Sequence, residues 1–211
     1  MGVTASVAVV VDIDGTLTDI TADTRAAVQP ITVEYGIAGS GPLDRIAQTG
    51  IMSFALDNSA GNSHGQQGAY SPGHANAVTG WDLGKEILLK ITYGGTTYYK
   101  FSGTLVGIAP DAGQYNRQAV LCTAVDWIDE SVRAKVRNVG IQTSKRADEL
   151  INTIVASSVT KQPNATSYAT GQSTFAKAFD NLQNAQTSVY QALADATVSE
   201  LGYLYVIGDT T

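Results

Sequence analysis

The sequence predicts a mainly β protein that also contains α-helices, an α+β fold in which an antiparallel β-barrel or sandwich is followed by a helical region. Two observations predict this class. β-Branched and alternating segments separated by Gly-rich turns extend to about residue 136, and helical periodicity begins only near Asp126. We therefore expect a barrel domain over residues 1–136. Residues 137–211 are expected to be a helical region with a terminal strand that begins a second domain.

The N-terminal segment predicts a β-hairpin. Residues 3–11 are apolar and rich in Val, residues 12–15 have the composition of a turn, and residues 16–21 alternate again. The simplest local structure is a pair of antiparallel strands joined at Asp14 and Gly15.

A second hairpin is the clearest feature of the chain. The runs Glu86–Tyr93 and 96–101 are separated only by Gly94 and Gly95, which supply the positive φ angles that two-residue hairpin turns require. Hairpins of this kind indicate an antiparallel sheet. Further strands are expected at residues 51–57, 104–108, 117–125 and 203–207.

The polar, Gly-rich segment over residues 58–80 predicts a long loop. Loops of this length are generally disordered or serve binding and assembly, so we expect it to contact another subunit or ring. Deleting residues 60–78 should then leave the monomer folded. If the chain were instead a carbohydrate-binding module, exposed aromatic side chains such as Tyr70 and Trp81 would carry the binding.

Three helices are expected in the last third of the chain. The first covers residues 126–135, Thr143 or Ser144 caps the second, and the third covers about residues 187–201. The residues expected on the buried faces are Ala147, Leu150, Ile151, Ile154 and Val155, then Val189, Leu193, Ala196, Val198 and Leu201. Because strand 203–207 is followed by turn residues, we expect the natural protein to continue beyond Thr211.

Charge and composition narrow the function classes. The chain carries 13 Lys and Arg against 19 Asp and Glu, a net charge of −6, so it lacks the basic balance that binding to nucleic acid requires. It has no run of about 18 apolar residues for a membrane span and no basic segment typical of a signal peptide. The single cysteine, Cys122, lies in an apolar run and is expected to be a buried free thiol.

Residues 12–16, Asp-Ile-Asp-Gly-Thr, follow an apolar strand and resemble the first motif of haloacid-dehalogenase-like phosphatases. That resemblance implies Asp12 as the nucleophile that attacks phosphorus, Asp14 as the acid and base, and Mg²⁺ as the cofactor. This Mg-dependent phosphatase is the alternative function.

Three features count against the phosphatase. Its parallel α/β sheet does not fit the hairpins that follow Asp14. Neither Lys145 nor Lys161 follows a buried strand as the family's lysine should, and only two residues follow Asp209, where the family's late acidic motif needs more. A structural turn is therefore favoured for residues 12–16.

Metal sites are also weakly supported. Asp12, Asp14 and Asp19 offer oxygen ligands for calcium, but the spacing lacks the Glu of an EF-hand loop. His64 and His74 have no Cys or carboxylate cluster near them and are expected to be exposed loop residues. We assign no catalytic, cofactor-binding or metal-binding residue, and we expect neither enzyme activity nor a cofactor.

In order and spacing, a series of short segments resembles the N-terminal part of tail hub or baseplate hub proteins of tailed bacteriophages. The segments are residues 14–21 (DGTLTDIT), 35–36 (YG), 43–45 (LDR), 56–58 (LDN), 68–72 (GAYSP), 84–87 (GKEI), 98–103 (YYKFSG), 108–111 (IAPD), 121–126 (LCTAVD) and 146–151 (RADELI). Each segment alone is weak, since these are strand and turn residues, but together they span nearly the whole chain.

The resemblance to hub proteins implies a structural protein of the virion tail, assembled in the host cytoplasm. It implies a tube-like β-barrel in a homo-oligomeric ring, usually trimeric, that joins the tail tube to the tip or receptor-binding apparatus. The implied partners are the tail tube or distal tail protein, the tail tip or fibre proteins and the tape-measure protein. DNA would pass through the lumen without specific binding.

Overall fold

The computed structural model describes residues 4–111, 118–179 and 186–208, and these residues form two compact units. The first unit contains the described residues up to 34, those within 50–126, and residues 207 and 208; the second contains those within 35–49 and 127–206. The sequence places a domain boundary near residue 136, whereas the structure assigns residues 127–136 to the second unit. No helix in the described ranges is long and apolar enough to cross a membrane.

A seven-stranded sheet dominates the first unit. Its strands are β1 (Ala5–Ile13), β2 (Thr16–Asp19), β3 (Thr32–Gly36), β4 (Gln48–Asp57), β5 (Glu86–Tyr93), β6 (Thr96–Pro110) and β7 (Ala119–Val125). Their order is β2-β1-β5-β6-β7-β4-β3, and the pairs whose registers are described are antiparallel. The predicted α+β class with an antiparallel sheet is confirmed.

Both predicted hairpins are present. Tyr93 pairs with Thr96 across Gly94 and Gly95, whose φ angles are 58° and 83°. The strand that follows is longer than predicted, because β6 runs through Gly103 without a break and pairs with β5 along its first half and with β7 along its second. This long strand connects the two halves of the sheet.

Residues 20–25 bridge β1 and β4, which lie next to the two edges of the strand order. The amide of Ile20 donates a hydrogen bond to the carbonyl of Val9 in β1 (2.9 Å), and the amide of Arg25 donates to the carbonyl of Ala55 in β4 (2.8 Å). Thr24 also forms an isolated antiparallel bridge with Leu56. The sheet therefore closes on itself as a small barrel and does not divide into the two layers of a sandwich. We call residues 20–25 the closure segment.

One face of the sheet fills the barrel. Successive residues of a strand point to opposite faces, so the core takes alternate side chains from each strand. The buried set from the strands is Val9, Val11, Met52, Phe54, Leu56, Ile87, Leu89, Phe101, Leu105, Val120, Cys122 and Ala124. The alternate residues point to the other face of the sheet, where some of them, including Val10, Ala55 and Leu88, are also buried.

Three helices and a two-stranded sheet form the second unit. They are α1 (Trp127–Arg133), α2 (Ala147–Ser158), α3 (Val189–Ser199), β8 (Gln142–Arg146) and β9 (Thr174–Ala178). All five residues predicted on the inner face of α2 are buried, as are Val189, Leu193 and Ala196 of α3. Leu201, predicted on the same face as these, is exposed because α3 ends at Ser199.

The start of α2 differs from the prediction. Thr143 and Ser144 lie in β8, and Arg146 is the N-cap residue. The carboxylate of Glu149 accepts a hydrogen bond from the amide of Arg146 (3.0 Å), which satisfies one of the free donors of the helix terminus. A charged side chain in the first turn thus replaces the expected hydroxyl cap.

Two further segments depart from the predicted strands. β9 pairs with β8, although its own sequence gave no strand prediction. Residues 203–206, expected within a strand, form no strand and make a single parallel bridge, from Leu204 to Ile46. Whether each segment forms a strand depends on a pairing partner that is distant in the sequence, which local composition does not reveal.

Replacing Leu56 by Ala is expected to destabilise the protein by about 2–5 kcal/mol, because the side chain is fully buried in the barrel core and its loss leaves a cavity. Urea denaturation followed by tryptophan fluorescence measures the change. Leu83→Ala is the matched control, since Leu83 is 53% exposed and should change stability by less than about 0.5 kcal/mol. Equal losses in the two variants would contradict the assigned core.

Candidate functional site

The Asp-Ile-Asp-Gly-Thr segment forms the turn between β1 and β2. Ile13 pairs with Thr16, so Asp14 and Gly15 are the two turn residues. Their φ angles are 52° and 85°, both in the left-handed region that an Asp-Gly hairpin turn requires. The carboxylate of Asp12 accepts a hydrogen bond from the amide of Gly15 (2.7 Å) and braces the turn. The structural interpretation of this segment is borne out by its geometry.

Asp14 is paired outside the turn. Its carboxylate lies 2.8 Å from the Nζ atom of Lys85, an exposed ion pair. The hydrogen bond with Asp14 raises the pKa of Lys85, and the negative charges of Asp12 and Asp82 act in the same direction. This end of the barrel therefore holds one lysine among several carboxylates.

The phosphatase alternative is contradicted by the strand pairing. That family places its first aspartate at the end of a strand in a parallel sheet, but β1 is antiparallel to both of its neighbours, β2 and β5. Lys145, a candidate for its lysine, forms an ion pair with Glu149 in the first turn of α2 (3.2 Å). Asp209 of its late motif lies outside the described residues. Among the described residues, no group of three His, Cys, Asp or Glu side chains could hold a metal ion.

The long loop over residues 58–80 is anchored in the barrel by a buried carboxylate. Asp23 lies in the closure segment and is 3% exposed. It accepts hydrogen bonds from the hydroxyl of Tyr70 and from both the amide (2.7 Å) and the hydroxyl (2.6 Å) of Ser63. Burial and the hydrogen bond to Asp23 raise the pKa of Tyr70 far above its usual range, so the phenol stays protonated.

A second set of hydrogen bonds holds the backbone of the loop. The side-chain oxygen of Asn58 accepts from the amide of Tyr70 (2.9 Å), and its side-chain nitrogen donates to the hydroxyl of Ser71 (2.7 Å). The indole of Trp81 donates to the carbonyl of Tyr70 (3.0 Å), and the two rings meet edge to face at 5.1 Å. The loop is therefore a packed part of the first unit.

This packing corrects two expectations. Tyr70 and Trp81 are buried in the core, so neither ring is available as the exposed platform of a glycan-binding module. Deleting residues 60–78 would remove Tyr70 and leave the buried carboxylate of Asp23 without its partners, so the monomer is not expected to stay folded. The composition of the loop conceals these contacts, because polar and Gly-rich segments predict only that the chain is irregular.

The remaining candidate residues lie where the sequence placed them. His64 and His74 are exposed, and the amide of Asn76 donates to Nδ1 of His74 (3.1 Å). Cys122 is a buried free thiol in the barrel core, and burial raises its pKa to about 12. A thiol with so high a pKa is protonated at neutral pH and unreactive as a nucleophile.

Sequence reasoning missed the outer surface of β4, β6 and β7, which we call the uncharged face. Ile51, Ser53 and Ala55 of β4 lie opposite Val125, Thr123 and Leu121 of β7, and the neighbouring positions of β6 are Thr104, Gly107 and Ala109. None of these nine positions carries a charge. Ile51, Leu121 and the bulge residue Val106 are each more than 40% exposed, whereas Ala55 in the same row is fully buried. The sequence does contain a signal for this surface, because the positions of these strands that alternate with the core residues are also apolar or small.

Comparisons with known proteins place the chain near two tail proteins. No protein-family model and no curated protein sequence matches it. Among solved structures it is similar to the 43 kDa tail protein of prophage MuSo2 from Shewanella oneidensis, with 9% identity, 98% of this chain and 55% of that chain covered, and a TM-score of 0.49. It is also similar to a tail protein from Neisseria meningitidis MC58, with 10% identity, 94% and 50% covered, and a TM-score of 0.48. The chain spans about half the length of these two proteins.

Replacing Tyr70 by Phe is expected to destabilise the protein by about 1–3 kcal/mol, because it removes one donor from a buried carboxylate and changes little else. Chemical denaturation measures the loss. The hydroxyl of Tyr203, which is 62% exposed, provides the control, and Tyr203→Phe should be neutral.

The stabilities of the parent protein and of Tyr70→Phe should also depend differently on pH in the alkaline range. The folded-state pKa of Tyr70 is raised, so its contribution to stability is complete below the unfolded tyrosine pKa of about 10 and is lost as pH rises toward the folded value. Stability of the parent protein should therefore fall more steeply above pH ~10 than that of Tyr70→Phe. Parallel curves for the two proteins would refute the assigned contact.

Proposed function

We propose that this chain is a structural component of a phage tail, part of the hub of a baseplate or tail tip. In this role it forms a homo-oligomeric ring, trimeric by the resemblance to hub proteins. The ring joins the tail tube or distal tail protein to tip or fibre proteins, and the tape-measure protein and DNA pass through its lumen. The protein acts in the virion tail after assembly in the host cytoplasm.

The observation that carries the proposal is the uncharged face on a closed antiparallel barrel. A sheet surface that faces only solvent normally carries charged residues, and none of these nine positions does; Ser53, Thr104 and Thr123 are polar but uncharged. Exposed apolar side chains grouped in this way mark surfaces that bind other proteins. A tail ring needs such lateral contacts between copies. The choice of a tail hub as the assembly rests on the resemblance of the ordered sequence segments to hub proteins.

Incorporation into the particle tests the tail role. Antibodies against the chain, applied to purified particles, are expected to label one end of the tail in negative-stain images, and the protein should be found among the particle's components. Particles that are complete without the chain would overturn the proposal.

An activity assay tests the phosphatase alternative separately. Incubation with p-nitrophenyl phosphate and Mg²⁺ is expected to release no phosphate above the rate of the Asp12→Asn variant, which keeps a side-chain oxygen to accept from Gly15. Phosphate release that disappears in Asp12→Asn would favour the enzyme.

Replacing Ile51 and Leu121 together by Glu (I51E/L121E) is expected to weaken self-assembly about tenfold or more, because burying a charge at a contact costs well over the ~1.4 kcal/mol that corresponds to a factor of ten. Light scattering and negative-stain microscopy measure the assembly. The double variant V132E/I141E in the second unit makes the same charge change at two exposed apolar residues and should assemble normally. Loss of assembly in both, or in neither, would argue against the uncharged face.

A further inference from the structure

We propose that residues 171–178 of the second unit form a strap that two carboxylates hold against α2 and α3, and that the strap detaches when those carboxylates lose their charge while the helices stay folded. This conformational change is separate from the proposed function, because all of its parts lie in the second unit and none belongs to the uncharged face. We refer to residues 171–178 as the strap.

Three consecutive backbone amides at the start of the strap donate hydrogen bonds to the two carboxylates. Gly171 donates to Asp148 in the first turn of α2 (3.0 Å). Gln172 and Ser173 donate to the two oxygens of Glu200, the C-cap residue of α3 (3.3 and 3.2 Å). Hydrogen bonds to a charged acceptor are stronger than neutral ones, so the strap is tied to both helices through negative charge.

The surroundings of the two carboxylates fit this role. The guanidinium of Arg146 donates to both oxygens of Asp148 (3.0 and 3.1 Å) and fixes their orientation. Glu200 lies at the C-terminal end of α3, where the helix dipole disfavours a negative charge, and the strap amides supply the positive dipoles that this position lacks. A Cβ atom at Gly171 would lie 2.9 Å from a carboxylate oxygen of Glu200, so glycine allows the close approach.

Little else holds the strap in place. None of its eight residues is buried, and within the described residues β9 pairs with β8 alone, in a two-stranded ribbon that is marginally stable by itself. Ser144 in β8 and Phe179 after β9 have φ angles of 52° and 67°, in the left-handed region that is unfavourable for residues other than glycine. Segments with few buried contacts open at a lower free energy than the rest of a protein, and the strap is such a segment.

The two flanks of the strap are better anchored than the strap itself. Tyr168 before it and Phe179 after it pack against the apolar cluster of the helices, which includes Ile154 and Leu193. These contacts do not depend on either carboxylate. Detachment is therefore expected to be local, with the flanking rings and the helices left in place.

Acid should release the strap because it neutralises both carboxylates. Hydrogen bonds from the Arg146 guanidinium, and then from the amide of Gly171, lower the pKa of Asp148. A carboxylate whose pKa is lowered on folding contributes its full stability above the unfolded value of about 3.9, and this contribution is lost as pH falls through the folded value. The strap is therefore closed at neutral pH and opens in the range below pH ~4.

The other charged groups around the strap do not hold it. The charged residues of the elements that contact the strap, and of the strap itself, are Lys145 and Arg146 of β8, Asp148 and Glu149 of α2, Asp195 and Glu200 at α3, and Lys177. The three cations keep their charge as pH falls. Glu149 pairs with Lys145 (3.2 Å), and Asp195 accepts a hydrogen bond from the side chain of Gln191 (2.7 Å), so neither carboxylate is assigned to the strap.

Hydrogen exchange of the full chain at pH 7, resolved by residue, tests the proposal. The variant D148N/E200Q keeps the shape of both side chains and removes their charge, and it is expected to lower the protection factors of amides in the strap by about tenfold or more. Amides in the buried part of α2, such as those of Ile154 and Val155, should keep the protection of the parent protein.

D129N/D195N is the matched control. It also removes two carboxylates from helices of the second unit, one of them paired with an arginine, since Asp129 lies 2.7 Å from Arg133. Protection in the strap should be the same as in the parent. Circular dichroism establishes that each variant is folded.

Gly171→Ala provides a second variant that keeps all the carboxylates. The added methyl group displaces the Glu200 carboxylate from the strap amides, so the strap should lose protection as it does in D148N/E200Q. The parent protein at pH 3, with exchange rates corrected for the effect of pH on free amides, should show the same loss while α2 stays protected.

Unchanged protection of the strap in D148N/E200Q overturns the proposal, as does an equal loss in D129N/D195N. Loss of protection in α2 to the same extent as in the strap also overturns it, because the carboxylates would then stabilise the whole unit. A parent protein whose strap stays protected at pH 3 while α2 is folded would show that the strap does not respond to acid.

Discussion

The buried carboxylate of Asp23 is the contact on which the first unit depends. It lies in the closure segment, whose backbone hydrogen bonds join β1 to β4 and close the barrel. The same side chain receives the hydroxyl groups of Tyr70 and Ser63 from the long loop. An ionised carboxylate removed from water without partners costs several kcal/mol or more, so the closed barrel and the folded loop each require the other. Asp23 thus links closure of the barrel to anchoring of the loop.

The division of the barrel into an inner and an outer face explains how a small sheet can both fold and assemble. Burial of alternate residues such as Phe54 and Leu89 stabilises the interior at about 1.5–3 kcal/mol for each large side chain. On the other face of the sheet, Ile51 of β4 and Leu121 of β7 remain more than 40% exposed and are stabilised further only when another surface covers them. In the free subunit these two apolar side chains stay in contact with water, which is unfavourable.

Local sequence was sufficient to predict the hairpins and the helix faces. Gly94-Gly95 and Asp14-Gly15 prescribe their turns because few residues tolerate two consecutive positive φ angles, and apolar spacing in α2 identified its buried side. Prediction failed where the deciding partner is distant. Tyr70 sits in a polar, Gly-rich segment, and only the carboxylate of Asp23, 47 positions away, explains its burial. Thr143 and Ser144 have the chemistry of helix caps, but pairing with β9 draws them into a strand.

The segment Asp12 to Thr16 shows why a motif needs its structural surroundings before it indicates chemistry. An apolar strand followed by Asp-x-Asp-Gly satisfies the pattern of a phosphoryl-transfer site and also that of a two-residue hairpin, because glycine and aspartate suit both. The neighbouring strands distinguish the two. In the phosphatase family the nucleophilic aspartate follows a strand of a parallel sheet, whereas here Asp12 lies in an antiparallel hairpin and its carboxylate accepts a hydrogen bond from the amide of Gly15. What remains of the motif is its charge, and the ion pair of Asp14 with Lys85 offsets only part of it.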